Sequence, residues 1–159
     1  NATEEYDGSA WTSVNGMLIN VLTPSASCGL QTTGFLAGGQ YPSVSPNYSG
    51  APANSYSYDG TSWTAAANLN DGRISSTSFG DSGSAVTVGG SGDAPNTGKT
   101  EKWDGTTWTT SSATAARGAA GQTNTSPSSD GLVAGGGTPD TETNIWVAEG
   151  LVTRTITAS

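Results

Sequence analysis

Tyr58-Asp59-Gly60-Thr61-Ser62-Trp63-Thr64 reads as strand, tight turn and strand in seven residues. Asp-Gly supplies the turn, because glycine reaches φ > 0 without strain and aspartate bonds its own backbone. The flanking aromatics suit the faces of paired strands. The same heptapeptide pattern stands at Tyr6-Asp7-Gly8-Ser9-Ala10-Trp11-Thr12 and at Trp103-Asp104-Gly105-Thr106-Thr107-Trp108-Thr109. A second motif lies between these copies. Phe35-Leu36-Ala37-Gly38-Gly39 matches Val86-Thr87-Val88-Gly89-Gly90 and Leu132-Val133-Ala134-Gly135-Gly136. The first motif is spaced by 52 and 45 residues, the second by 51 and 46. Two markers that drift together define a repeat whose loops vary in length.

Each unit contains four short strands. Apolar-x-apolar-Gly-Gly reads as an inner strand ending at a bend, where glycines let backbones approach closely. Upstream, Asp71-Gly72-Arg73-Ile74 and Ala116-Arg117-Gly118 place an arginine at the opening of a further strand. Four strands in about 45–50 residues is the period of a propeller blade. The expected division is a half blade at 1–16 and blades at about 17–66, 73–110 and 115–158. That makes fourteen strands, or three and a half blades.

Composition agrees with strands and turns. Gly, Ser and Thr make up about 43% of the 159 residues, and Leu, Ile, Val and Phe only about 13%. Such a low apolar fraction usually signals disorder. Five Trp, five Tyr and a charged fraction of only 11% argue for a packed chain instead.

The same inventory excludes several chemistries. With no His there is no Ser-His-Asp centre and no histidine-bound metal or haem. One cysteine, Cys28, excludes a disulfide within the chain; without basic neighbours it reads as a small buried apolar residue rather than a reactive thiol. A net charge of −8 without a basic cluster disfavours nucleic acid. No apolar run is long enough for a helical membrane span. The first residue is Asn1 and no signal peptide is visible, which reads as a processed chain or part of a longer one.

The arginine, the Gly-Gly pair, the third-strand aromatic and the fourth-strand Trp together resemble a kelch repeat. The resemblance implies an all-β, kelch-like β-propeller in which Arg73, Arg117, Gly38, Gly39, Gly89, Gly90, Gly135 and Gly136 hold blades together. Unit one departs from it, with Cys28 or its neighbours standing where later units carry Arg. The Tyr-Asp-Gly-Thr-Ser-Trp variant also resembles repeats of marine bacteriophage virion proteins. That implies a non-enzymatic tail fibre, spike or decoration protein, extracellular on the virion and acting in assembly and host attachment. Its partners would be other virion proteins, further copies or parts of its own chain, and a host surface glycan, with no cofactor.

Regular spacing makes Trp11, Trp63 and Trp108 packing residues between blades rather than sugar platforms. Asp7, Asp59 and Asp104 read as turn aspartates rather than Ca²⁺ ligands. The copper oxidase chemistry known on a kelch scaffold needs histidine and cannot be carried over. The Pro-rich stretch from Gln40 to Ser55 is the longest insertion, and Tyr41, Tyr48 and Tyr56 are its candidate contact residues. A different class, a secreted bacterial kelch-type carbohydrate-binding or enzyme domain, is the alternative expectation.

Overall fold

The computed structural model describes residues 2–18, 26–40, 51–90, 99–112, 127–134, 143–147 and 150–154. They form thirteen strands. A hairpin of β1 (Thr3–Tyr6) and β2 (Trp11–Val14) comes first. A four-stranded sheet follows, of β3 (Ala26–Cys28), β4 (Gly34–Ala37), β5 (Ser55–Tyr58) and β6 (Trp63–Ala66). The next repeats it with β7 (Thr77–Gly80), β8 (Ala85–Val88), β9 (Thr100–Trp103) and β10 (Trp108–Ser111). The last contains β11 (Asp130–Ala134), β12 (Thr143–Val147) and β13 (Gly150–Arg154). Every pairing joins chain neighbours and is antiparallel, so each sheet is a meander.

The Asp-Gly turns are four-residue loops, because Tyr6 faces Trp11, Tyr58 faces Trp63 and Trp103 faces Trp108 in register. Gly8, Gly60 and Gly105 sit at φ of 101°, 92° and 94°, a region that penalises a Cβ. The Gly-Gly bends repeat with equal fidelity. Gly38 and Gly89 both have φ 68°, and Gly39 and Gly90 have φ 119° and 95°. Positive φ therefore selects these glycines, in addition to close approach.

Burial runs across each full sheet. All of β8 is buried, whereas Thr109 and Thr110 of β10 are exposed. The first strands β3 and β7 lie against each other, with no comparable approach between β6 and β10. The two four-stranded sheets therefore converge at their first strands.

Arg73 lies in the link between them, four residues before β7, not at the opening of a strand as its repeat position suggests. It is fully buried. Its backbone belongs to the first sheet's loops: Arg73 N–H donates to the Pro52 carbonyl at 3.2 Å, and its own carbonyl accepts from Gly39 N–H at 3.1 Å. Its side chain belongs to the second sheet. Nη1 donates to the carbonyls of Gly89 (3.0 Å) and Lys99 (3.1 Å), and Nη2 pairs with the Glu101 carboxylate. Glu101, also fully buried, accepts the N–H groups of Asn70 (2.7 Å) and Asp71 (3.2 Å). A buried charge is tolerable only when paired and saturated with hydrogen bonds, and both conditions are met.

Two further expectations are corrected. Cys28 does not take the arginine's place. It faces Phe35 as Phe79 faces Val86, and Gly29 and Gly80 follow at φ 102° and 106°. Cys28 is thus the counterpart of Phe79. Tyr56 is not a loop residue. It lies in β5 between Leu36 and Ala65, 5% exposed, at the position Glu101 fills in the next sheet. The fourteenth strand, Arg117, Gly135, Gly136, Tyr41 and Tyr48 fall outside the described residues.

Arg73→Met should destabilise the fold by about 3–5 kcal/mol, because Glu101 would be left buried and unpaired. Arg73→Met with Glu101→Leu should recover only part of this, since the Gly89 and Lys99 carbonyls still lose their donor. Urea unfolding of the three variants against the parent checks both statements.

Candidate functional site

The three repeated hairpins place an aromatic pair at equivalent positions. Ring centroids are 5.2 Å apart in Tyr6–Trp11, 5.0 Å in Tyr58–Trp63 and 5.5 Å in Trp103–Trp108, all tilted by 38–45°. Their surroundings differ. Trp103 and Trp108 are 5% and 6% exposed, covered by Phe35 of the preceding sheet at 5.2 and 5.7 Å. Tyr58 is buried and Trp63 half-buried beneath the β1–β2 hairpin. Tyr6 and Trp11 are 48% and 68% exposed. The expected role between sheets thus holds for Trp63 and Trp108, while Trp11 presents the same surface to solvent.

One hydrogen bond repeats with the rings. Trp108 Nε1–H donates to Ser55 Oγ at 3.2 Å, and Trp63 Nε1–H donates to Thr3 Oγ1 at 2.9 Å. Ser55 and Thr3 both open the third strand of the preceding unit. A second link joins the hairpin to the first sheet, where the Tyr58 hydroxyl donates to Glu5 Oε1 at 2.6 Å. That carboxylate stabilises the protonated phenol, which with partial burial pushes the Tyr58 pKa up to about 12.

These groups border an open groove of about 350 Å³, lined by Thr3, Glu4, Glu5, Tyr6, Trp11, Leu30, Gln31, Gly34, Tyr58 and Trp63. Leu30 is 69% exposed at its rim. The groove offers ring faces, one free indole edge and carboxylates, a chemistry of adhesion by stacking and hydrogen bonding. Among the described residues no cluster of three His, Cys, Asp or Glu side chains is placed to hold a metal ion.

The turn aspartates serve their own backbone. Asp7 Oδ1 accepts the N–H groups of Ser9 and Ala10, Asp59 those of Thr61 and Ser62, and Asp104 those of Thr106 and Thr107, all at 2.8–2.9 Å. These bonds favour the charged form and lower all three pKa values, those of Asp7 and Asp104 to about 2. Asp81 builds the same turn between β7 and β8 with Ser82, not glycine, directly after the aspartate. For Cys28, burial and then the nearby Asp81 charge push the thiol up to about 12, which fits its reading as an inert residue.

Sequence reasoning missed Phe35, Glu101 and the hydroxyl residues that receive the indoles. A signal for the last was present. Thr3, Ser55, Thr100 and Thr143 each stand three residues before the third-strand aromatic, at Tyr6, Tyr58, Trp103 and Trp146.

No protein-family model matches the chain, and no curated protein matches it. Among solved structures, that of YjhT is similar over 77% of this chain, with a TM-score of 0.58 and 20% identity. The matched part is 36% of the YjhT chain, so this chain corresponds to about a third of that protein. The likeness is one of fold: an all-β arrangement of antiparallel four-stranded sheets. No helix among the described residues is long and apolar enough to cross a membrane.

Two outcomes follow from the ionisation states. The turn carboxylates bind protons more weakly folded than unfolded, so their contribution is complete above about pH 4 and fades as pH falls towards 2. Thermal melts across that range should show falling stability, and Asp59→Asn should flatten part of the slope. Cys28 should resist alkylation by iodoacetamide at pH 8 in the folded protein and react once unfolded, as mass spectrometry would read.

Proposed function

We propose that this chain forms kelch-like propeller blades and serves as a non-enzymatic virion structural protein, a tail fibre, spike or decoration protein, in assembly and host-surface adhesion. The observation that carries the scaffold part is the use made of Arg73 and Glu101. The chain's one fully buried ion pair among the described residues joins two sheets through backbone carbonyls and amides. The repeated indole-to-hydroxyl bonds do the same work at two sheet boundaries. Convergence of β3 and β7 suits sheets arranged as blades about an axis. The virion part rests on the resemblance of the repeated Asp-Gly hairpin to phage virion repeats. In this reading the rigid sheets carry loops that touch a host glycan or a neighbouring virion protein.

A second reading, a secreted bacterial kelch-type carbohydrate-binding domain, is favoured by the exposed Tyr6 and Trp11 rings beside Glu4 in the open groove.

Proteomics and imaging of particles purified from the native source separate the two. The virion reading expects the chain in particles at a fixed copy number, within symmetric projections on tail or capsid. Recovery only as a secreted species that binds a glycan array would replace it with the second.

A further inference from the structure

Side-chain hydrogen bonds tie the β1–β2 hairpin to the first four-stranded sheet. Trp63 Nε1–H donates to Thr3 Oγ1, and the Tyr58 hydroxyl donates to Glu5 Oε1. A further bond runs the other way. Asn15, the residue just past β2, donates from Nδ2 to the Thr61 carbonyl at 3.2 Å. Thr61 belongs to the turn at 59–62, whose Asp59 carboxylate already accepts the N–H groups of Thr61 and Ser62.

Asn15 is also the one asparagine of the chain that precedes a glycine. Asparagine is a thermolabile residue. Its side-chain amide carbon lies within reach of the next residue's backbone nitrogen, and a following glycine has no Cβ to hinder that approach. Gly16 lies beyond the ladder of β1 and β2, and among the described residues its N–H donates to no backbone carbonyl. Both Asn15 and Gly16 are exposed. That exposure belongs to the position in the unit. By the 52-residue spacing of Trp11 and Trp63, Ala67 is the counterpart of Asn15. Ala67 is exposed too, in a unit that has described sheets on both sides.

Other sites in the molecule lack one or more of these features. Asn68 is exposed, but the following Leu69 carries a side chain and its N–H donates to the Ala53 carbonyl at 2.8 Å. Asp7, Asp59 and Asp104 do precede glycine, but each holds a carboxylate bonded to two backbone N–H groups, and an anion repels a nucleophile that an amide accepts.

We propose that Asn15 is a site of spontaneous deamidation, and that its conversion loosens the hairpin from the first sheet. The Gly16 backbone nitrogen gives up its proton to water and bonds to Asn15 Cγ. The Cγ–Nδ2 bond breaks, and Nδ2 leaves as ammonia with a proton from solvent. A second water opens the cyclic imide at either carbonyl carbon, giving aspartate or isoaspartate. The net change is amide and water to carboxylate and ammonium, with no oxidant or reductant. The product has lost the N–H groups that served the Thr61 carbonyl. It sets a negative carboxylate against that carbonyl and the Asp59 charge in the same turn. The inference does not depend on the virion reading.

Ageing the full 159-residue chain at mildly alkaline pH, folded and in urea, tests the assignment. Peptide mass spectrometry with isoaspartate-sensitive fragmentation follows each asparagine. In the folded chain Asn15 should convert while Asn68 stays intact. Gly16→Ala should slow conversion several-fold; Gly16 does not sit at positive φ, so alanine fits its backbone. Asn15→Asp should melt about 2–4 °C below the parent, the shift expected for one lost hydrogen bond in a chain of this length. Aged protein should show the same lower melt. An Asn15 that converts in urea but stays intact in the folded chain overturns the proposal. So does Asn68 converting as fast as Asn15, a Gly16→Ala variant that is no slower, or an unchanged melt in Asn15→Asp.

Discussion

Arg73 and Glu101 form the interaction on which the arrangement of sheets depends. The arginine's backbone is bonded to loops of the first four-stranded sheet, and its side chain to the second. One residue therefore sets the distance between two meanders that share no ladder. The guanidinium suits this task because its donors point in fixed, coplanar directions and it stays charged when buried. The pair's desolvation cost is offset by bonds to three carbonyls and two amides as well as by Coulomb attraction.

Around that anchor the chain uses a second, softer device. Tilted aromatic pairs recur at 5.0–5.5 Å in all three Asp-Gly hairpins, and the indole of the later unit reaches a hydroxyl of the earlier one at two boundaries. Rings supply the buried area that a chain poor in Leu, Ile and Val lacks. The N–H to hydroxyl bond adds direction, and thus fixes which part of the next sheet meets the rings. Tyr6 and Trp11 carry the same kind of ring pair at 48% and 68% exposure, with no further sheet of the described residues over it.

Much of this was readable in advance. The strand–turn–strand hairpins and the glycine bends follow from local chemistry, and the three hairpins and the bends at Gly38-Gly39 and Gly89-Gly90 appear at the expected positions. The arginine was correctly singled out for a structural role, but its place outside the strand was not foreseen, because strand pairing rather than motif order sets where a strand begins. Cys28 was set against the wrong counterpart for the same reason. Its register partner Phe35 identifies it with Phe79, and Gly29 with Gly80 was the signal passed over. Tyr56 was taken for a loop residue because the Pro-rich stretch runs up to it. It pairs on both sides in β5, where apolar bulk fills the place that Glu101 takes in the next sheet.

The sequence alone determined the all-β class, the unit length and the turns, since glycine φ, aspartate self-bonding and the paired strand aromatics act within a few residues. It could not reveal which partner answers Arg73, twenty-eight residues away, or which hydroxyl receives each indole. It also could not rank three equivalently placed ring pairs. Their burial depends on whether another sheet lies over them, and that is a property of how units stack rather than of any unit. Only the tertiary structure distinguishes the covered Trp108 from the open Trp11, although the two stand in the same seven-residue motif.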